Sequence, residues 1–228
     1  MDKALELQKL HQQMLADKKL PLVTNLVFGE GNSDCRVLFI GEAPGAVEDE
    51  LVRPFVGRSG QLLRKQIREL GWKEGDVYIT NIVKRRPPEN RDPLPEEIMA
   101  YRPYLTRQIE IIAPNIIVPL GRFSMNYFLG SEENKIQEIL FNERATKICF
   151  AYFLPEAKIT RDQGHLFGAM IKGEQQKKWF VAPMFHPSAA LRAPAMMEEF
   201  VKNFKNLPKM LQKINELNPK FQIPNKSQ

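Results

Sequence analysis

Four short apolar runs, each followed by a turn, constrain this chain more than any other feature. They are Arg36–Ile40, Val77–Val83, Asn115–Leu120 and Lys178–Met184. All four read as strands, and the continuous apolar character of Arg36–Ile40 marks that one as buried on both faces. The stretches after them have helical periodicity. Leu62, Leu63, Ile67 and Leu70 fall on one side of a helix over Ser59–Leu70, which Gly71 ends. Pro95–Ile112 carries Glu96 and Glu97 in its first turn, where the helix dipole favours them. Gly121 opens a helix through Leu129, and Ala195–Leu207 turns Met197, Phe200, Val201 and Phe204 inward. Ahead of the first strand, Leu5, Leu7, Leu10, Met14 and Leu15 mark an amphipathic helix over residues 2–18.

Strands alternating with helices predict a parallel sheet covered on both faces, with right-handed crossovers. Such sheets bind ligands beyond the carboxyl ends of their strands. The informative residues are therefore Gly41–Glu50, Asn81–Arg91, those from Gly121 onward, and His186–Arg192. Residues 131–177 are the least legible, and Phe150–Leu154 reads as an extra strand or a partner-facing segment. Residues 1–218 are expected to form a single domain, and 219–228 a poorly ordered tail.

Lys and Arg exceed Asp and Glu by 33 to 27, which permits a polyanionic partner without requiring one. Cys35 and Cys149 are too few for a disulfide framework or a four-thiolate site and read as isolated buried thiols. No apolar run has the length of a membrane span. Met1–Lys19 is charged and periodic, unlike a secretory signal. An intracellular protein is the expectation.

The turn after the first strand, Gly41-Glu42-Ala43-Pro44-Gly45, looks like a phosphate cradle but carries Glu42, Glu48, Asp49 and Glu50. It lacks the glycine spacing of dinucleotide-binding loops and the Lys-Ser/Thr pair of a phosphate loop, which argues against a nucleotide cofactor. Alone, it reads as a strand-to-helix turn with solvated acids. Phe55, among Pro54, Val56 and Gly57, fits either core or a platform for stacking a base. Asn81 lies in a strand, where Asn is depleted; its amide offers the donor and acceptor that suit one edge of a pyrimidine. Lys84, Arg85, Arg86 and Arg91 form either a solvated basic loop or a set of phosphate contacts. His186, one of three histidines, follows a strand and precedes Pro187-Ser188. Leu191 and Arg192 pair an apolar wedge with a cation, a combination suited to filling the gap left by an extruded base.

Together, "GEAPGAVED", "PFVGRSGQLL", "VYITNIVKRRPPENR" and "HPSAALR", in that order and preceded by "VFGEG", resemble family 4 of the uracil-DNA glycosylase superfamily. The resemblance covers most of residues 24–130 and 159–205. It implies an α/β/α sandwich around a four-stranded parallel sheet, and hydrolysis of the N-glycosidic bond of deoxyuridine in single- or double-stranded DNA. It assigns Phe55 to stacking on uracil, with Gly41 beside the pocket, and Asn81 to the uracil edge. His186 falls to the oxygen that gains charge, and Ser188, Leu191 and Arg192 to the DNA-probing loop. Glu42 and Glu48 match acidic positions of the first motif, with Glu48 the candidate for orienting water and Glu42 for pocket polarity.

Two departures stand out. Family members usually hold a 4Fe–4S cluster on four cysteines; the matching positions here are Met14, Asp17, Arg85 and Tyr101, so no cluster and no metal is expected. Tyr101 is expected to fill the vacated space and Arg85 to add charge on the DNA side. The chain is also longer than expected between Gly130 and Ile159, and the insertion around 133–156 offers a site for a protein partner. The competing readings are a non-catalytic DNA-binding accessory module on the same fold, and a hydrolase of small nucleotides. The first needs no base pocket, and the second has no use for Leu191-Arg192 or the basic loop.

Overall fold

The computed structural model describes residues 2–129, 137–139, 148–151, 166–170 and 178–217. Helix α1 (Lys3–Ala16) is capped by Asp2, whose carboxylate accepts the Leu5 amide at 3.2 Å. A two-residue strand β1 (Glu30–Gly31) precedes β2 (Val37–Gly41), α2 (Ala46–Leu51), α3 (Arg58–Glu69) and β3 (Val77–Asn81). Next come α4 (Pro95–Ile112), β4 (Ile116–Pro119) and α5 (Arg122–Leu129). Strands β5 (Gln137–Ile139), β6 (Ile148–Ala151), β7 (Leu166–Met170) and β8 (Lys178–Val181) follow. The short helix α6 (Pro187–Ala190) and the long α7 (Pro194–Leu217) come last.

The described strands form one sheet in the order β1-β3-β2-β4-β8-β7-β6-β5. Its centre, β3-β2-β4-β8, is parallel throughout, as the alternation of runs predicts. The sheet also extends beyond that centre. Strand β1 pairs antiparallel with β3 at one edge, and β7, β6 and β5 continue past β8 at the other. Phe150 and Ala151 lie in β6, in line with an extra strand. The remainder of Phe150–Leu154, most of the 133–156 insertion and the 219–228 tail lie outside the described residues.

Period-two alternation along β2 divides the core into two. Leu38 and Ile40 face α1, α4 and α5, packing with Leu10, Met14, Leu105, Ile109 and Phe128. Val37 and Phe39 face α3 and α7, packing with Leu63, Ile67, Phe200 and Phe204. The Phe39 and Phe204 rings stack with centroids 5.8 Å apart. These are the three layers of the expected sandwich.

Three helices differ from the sequence reading. In α1 only Leu7, Leu10 and Met14 are buried, while Leu5 and Leu15 face solvent. Six-residue α2 is too short for periodicity to reveal. Helix α7 continues through Pro208, because Met210, Leu211 and Ile214 extend its buried face by two further turns. No helix among the described residues is long and apolar enough to cross a membrane.

Candidate active site

The parallel order brings the carboxyl ends of β2, β3, β4 and β8 to one rim. A cleft of about 900 Å³ opens there, lined by Glu42, Glu48, Phe55, Asn81, His186 and Arg192 among others. Pairing persists past the strand ends: Ile82 and Val83 donate to the carbonyls of Gly41 and Glu42, each at 3.0 Å. Asn81 is thus held beside Gly41 and is 2 % exposed. A Cβ on Gly41 would lie 2.4 Å from the Phe55 ring and 2.5 Å from Asn81 Oδ1. Glycine at position 41 is what allows the ring and the amide to share one pocket wall.

His186 closes the other side, its ring centroid 5.8 Å from that of Phe55. The imidazole caps α6: its Nδ1 lies 2.8 Å from Ser188 Oγ and accepts the Ser188 amide at 3.2 Å. A backbone N–H can only donate, so Nδ1 carries no proton and Nε2 carries it. Burial, and secondarily the positive charge of Arg192, pulls the His186 pKa down to about 4. At neutral pH the ring is an uncharged Nε2–H donor.

The two acids differ. Glu48 Oε1 accepts the amides of Val56 and Gly57 at 3.0 and 2.7 Å, so that oxygen shapes the Phe55 loop. Its Oε2 lies on the Gly45 side. Glu42 makes no such bonds; burial, then the Asp92 charge, raises its pKa to about 7, with Arg122 opposing. Asp92 and Arg122, paired at 2.8 Å, belong to the same cleft but carry no distinguishing sequence signal.

The basic loop is largely not where the sequence reading placed it. Lys84 is fully buried and donates to Thr80 Oγ1, to the Asn81 carbonyl at 2.8 Å and to Gln108 Oε1 at 2.7 Å. It therefore cannot touch a phosphate. Arg85 turns away from the cleft: it donates to the Thr24 carbonyl, and its Nε is buried without a hydrogen-bond partner. Arg91 grips Glu97 with both terminal nitrogens, at 2.9 and 2.6 Å. Arg86 Nε donates to the side chain of Asn90, itself part of the cleft wall. Ser188 and Arg192 line the cleft, and Leu191 is half-exposed at the end of α6.

The positions matching cluster ligands do not fit a cluster. Met14 offers a thioether in the α1–α4 core. Asp17 accepts the Tyr104 hydroxyl at 2.6 Å, and Arg85 is a cation. Tyr101 is fully buried, donates to the Pro21 carbonyl at 2.7 Å, and has its pKa raised by burial above the ordinary tyrosine range. None is a thiolate. Side chains bridge α1, the 21–24 segment and α4 at these positions. Among the described residues no group of three His, Cys, Asp or Glu is placed to hold a metal ion.

Comparison with known proteins follows the same lines. The family model "Uracil DNA glycosylase superfamily" matches residues 28–216. A type-4 uracil-DNA glycosylase of Pyrobaculum aerophilum is 40% identical over 202 residues, covering 87% of this chain and 91% of its own. That of Sulfurisphaera tokodaii is 39% identical, covering 88% of this chain and 83% of its own. For the Saccharolobus solfataricus protein of the same name the identity is 42%, with coverages of 82% and 76%.

Proposed function

The chain belongs to the uracil-DNA glycosylase superfamily, and on that premise we propose that it excises uracil from DNA, hydrolysing the N-glycosidic bond to leave an abasic site. The convergence of Phe55, Asn81 and His186 on one cleft at the strand ends carries this reading.

A base inside a duplex is unreachable, so the nucleotide swings out at a cost of a few kcal/mol. Phe55 stacks on the extruded ring, which offsets about 1–3 kcal/mol of that. Asn81 pairs with the polar edge of uracil; cytosine would leave buried polar groups unmatched there. As the C–N bond breaks, its electrons move onto the base and the sugar becomes oxocarbenium-like. The neutral Nε2–H of His186 stabilises the resulting anion, an effect of about 3–4 kcal/mol for a preorganised donor. Water adds to the sugar carbon and releases a proton to solvent, balancing the one the departed uracil anion takes up. Glu42, when ionised, opposes the sugar's positive charge, and Glu48 Oε2 orients the water.

The proposal extends to the cofactor: the enzyme works without an iron–sulfur cluster. The packed Met14, Asp17, Arg85 and Tyr101 positions support this, since they already tie α1 to α4 and to the 21–24 segment.

The test is incubation with uracil-containing single- and double-stranded oligonucleotides and with free deoxyuridine, followed by detection of uracil and abasic sites. Release from DNA alone is expected. Tight DNA binding without release would make the chain an accessory module, and hydrolysis of deoxyuridine would make it a nucleoside hydrolase.

A further inference from the structure

Phe55 holds a backbone conformation that aromatic residues avoid, with φ at +53°. Such a residue persists only where its surroundings impose it. Three neighbouring groups do so here. Arg64 donates from Nε to the Phe55 carbonyl and from Nη2 to the Pro54 carbonyl, each at 2.9 Å. Glu48 takes the next two amides, those of Val56 and Gly57. The first turn of α3 presses on the same peptide, where a Cβ on Gly60 would lie 2.0 Å from the Phe55 carbonyl carbon.

Arg64 also reaches across to elements farther off. Its side chain is 9% exposed. Nη1 donates to Glu74 at 2.6 Å, and Nη2 also meets Glu30 of β1. Glu30 in turn takes Arg53 at 2.8 Å. The guanidinium is planar and rigid, so its fork matches two successive carbonyls in a way a lysine cannot. Two carboxylates anchor its far side. Neither the sequence motifs nor the chemistry of the cleft assigns Arg64 a part.

We infer that Arg64 is a positioning residue for the base-stacking platform: gripping the Pro54 and Phe55 carbonyls, anchored by Glu30 and Glu74, it aims the Phe55 ring into the cleft. The inference rests on the reading that Phe55 stacks on the extruded base. It sets how well the platform is preorganised, and so how tightly the base is held while its bond breaks.

A double-mutant cycle tests it. R64Q, F55A and the pair are compared by single-turnover excision and by the inhibition constant for free uracil, with folding checked by thermal melting. R64Q is expected to slow excision about tenfold and weaken uracil binding by a similar factor, since small misplacements at a reacting site carry such losses. In the F55A background the same change should alter neither quantity by more than about twofold, because its target is gone. Equal losses in both backgrounds, or a folded R64Q with full activity, overturn the inference. Should R64Q not fold, E74Q loosens one anchor at a half-exposed position. It should produce a loss of two- to threefold that vanishes with F55A, and its absence is equally fatal. Full activity in F55A removes the stacking role itself, and this inference with it, whereas a slow F55A with additive R64Q removes Arg64's part alone.

Discussion

The Oγ of Ser188 sits 2.8 Å from Nδ1 of His186, and the Ser188 amide points at the same nitrogen. Both bonds fix the imidazole as an acceptor on its inner side and a donor on its outer side. S188A removes the hydroxyl but keeps the amide bond. A hydrogen bond of this kind contributes about 1 kcal/mol, so single-turnover excision should fall ~3–10-fold. H186A removes the donor itself and should cost ~10²–10³-fold. A loss in S188A as large as in H186A would mean that the serine does more than hold the ring.

Two groups in the cleft have shifted pKa values of opposite consequence. His186 is held at about 4 against an ordinary 6.5, so the folded state binds fewer protons than the unfolded one between those values, and stability is lost as pH falls through that window. Glu42, raised to about 7 from 4.5, has the opposite sign: its contribution is intact at low pH and is lost as pH rises through 7. E42Q should therefore melt close to the parent protein near pH 4.5 and above it at pH 8. The catalytic effect runs the other way. The parent's single-turnover rate should climb across pH 7 as Glu42 ionises, and E42Q should be slower at pH 8 with a flatter profile. Melting curves and rates at matched pH check both halves.

G41A places a methyl group where the Phe55 ring and the Asn81 amide already meet, within 2.4 and 2.5 Å of them. Neither neighbour is a flexible chain end, so ring or amide must move. Excision is expected to drop at least tenfold, as for N81A, with overpacking costing about 1–3 kcal/mol of stability. Rates near the parent's would show that the pocket wall yields.

Purified protein should contain no iron and show no thiolate-to-iron absorption. The Tyr101 hydroxyl and Arg85 instead hold the Pro21 and Thr24 carbonyls. Y101F should lower the melting temperature, and chelators should leave excision unchanged. Stoichiometric iron would overturn the reading of these positions.

The sheet centre was legible because each strand is a short apolar run with buried neighbours on both faces, as in Val37–Ile40. The pocket residues were legible because strand ends focus chemistry, so Asn81 and His186 drew notice by position. Direction was not legible. Lys84-Arg85-Arg86 reads as one basic stretch, yet Lys84 turns inward under the strand end and Arg85 turns toward Thr24. Arg64 lies on a helix whose apolar stripe says nothing of a guanidinium reaching a loop ten residues back. Both depend on long-range partners, Gln108 for one and Glu30 for the other, which no local pattern encodes.

Lys84 is buried and Arg192 exposed, and that difference yields the sharpest test of where DNA lies. Arg192 is exposed and lines the cleft. Each phosphate contact a protein makes releases condensed counterions, so losing one contact lowers the slope of log K against log salt by about one. R192A should show that reduced slope together with weaker binding to DNA of any sequence. K84M should leave the slope unaltered, because a side chain with no access to solvent displaces no counterion. It should instead lower the melting temperature, since the Asn81 carbonyl, Thr80 and Gln108 lose their shared donor inside the core. Excision by K84M should also suffer, because the peptide that carries the Asn81 amide is no longer held. A salt slope untouched by R192A would remove Arg192 from the phosphate contacts.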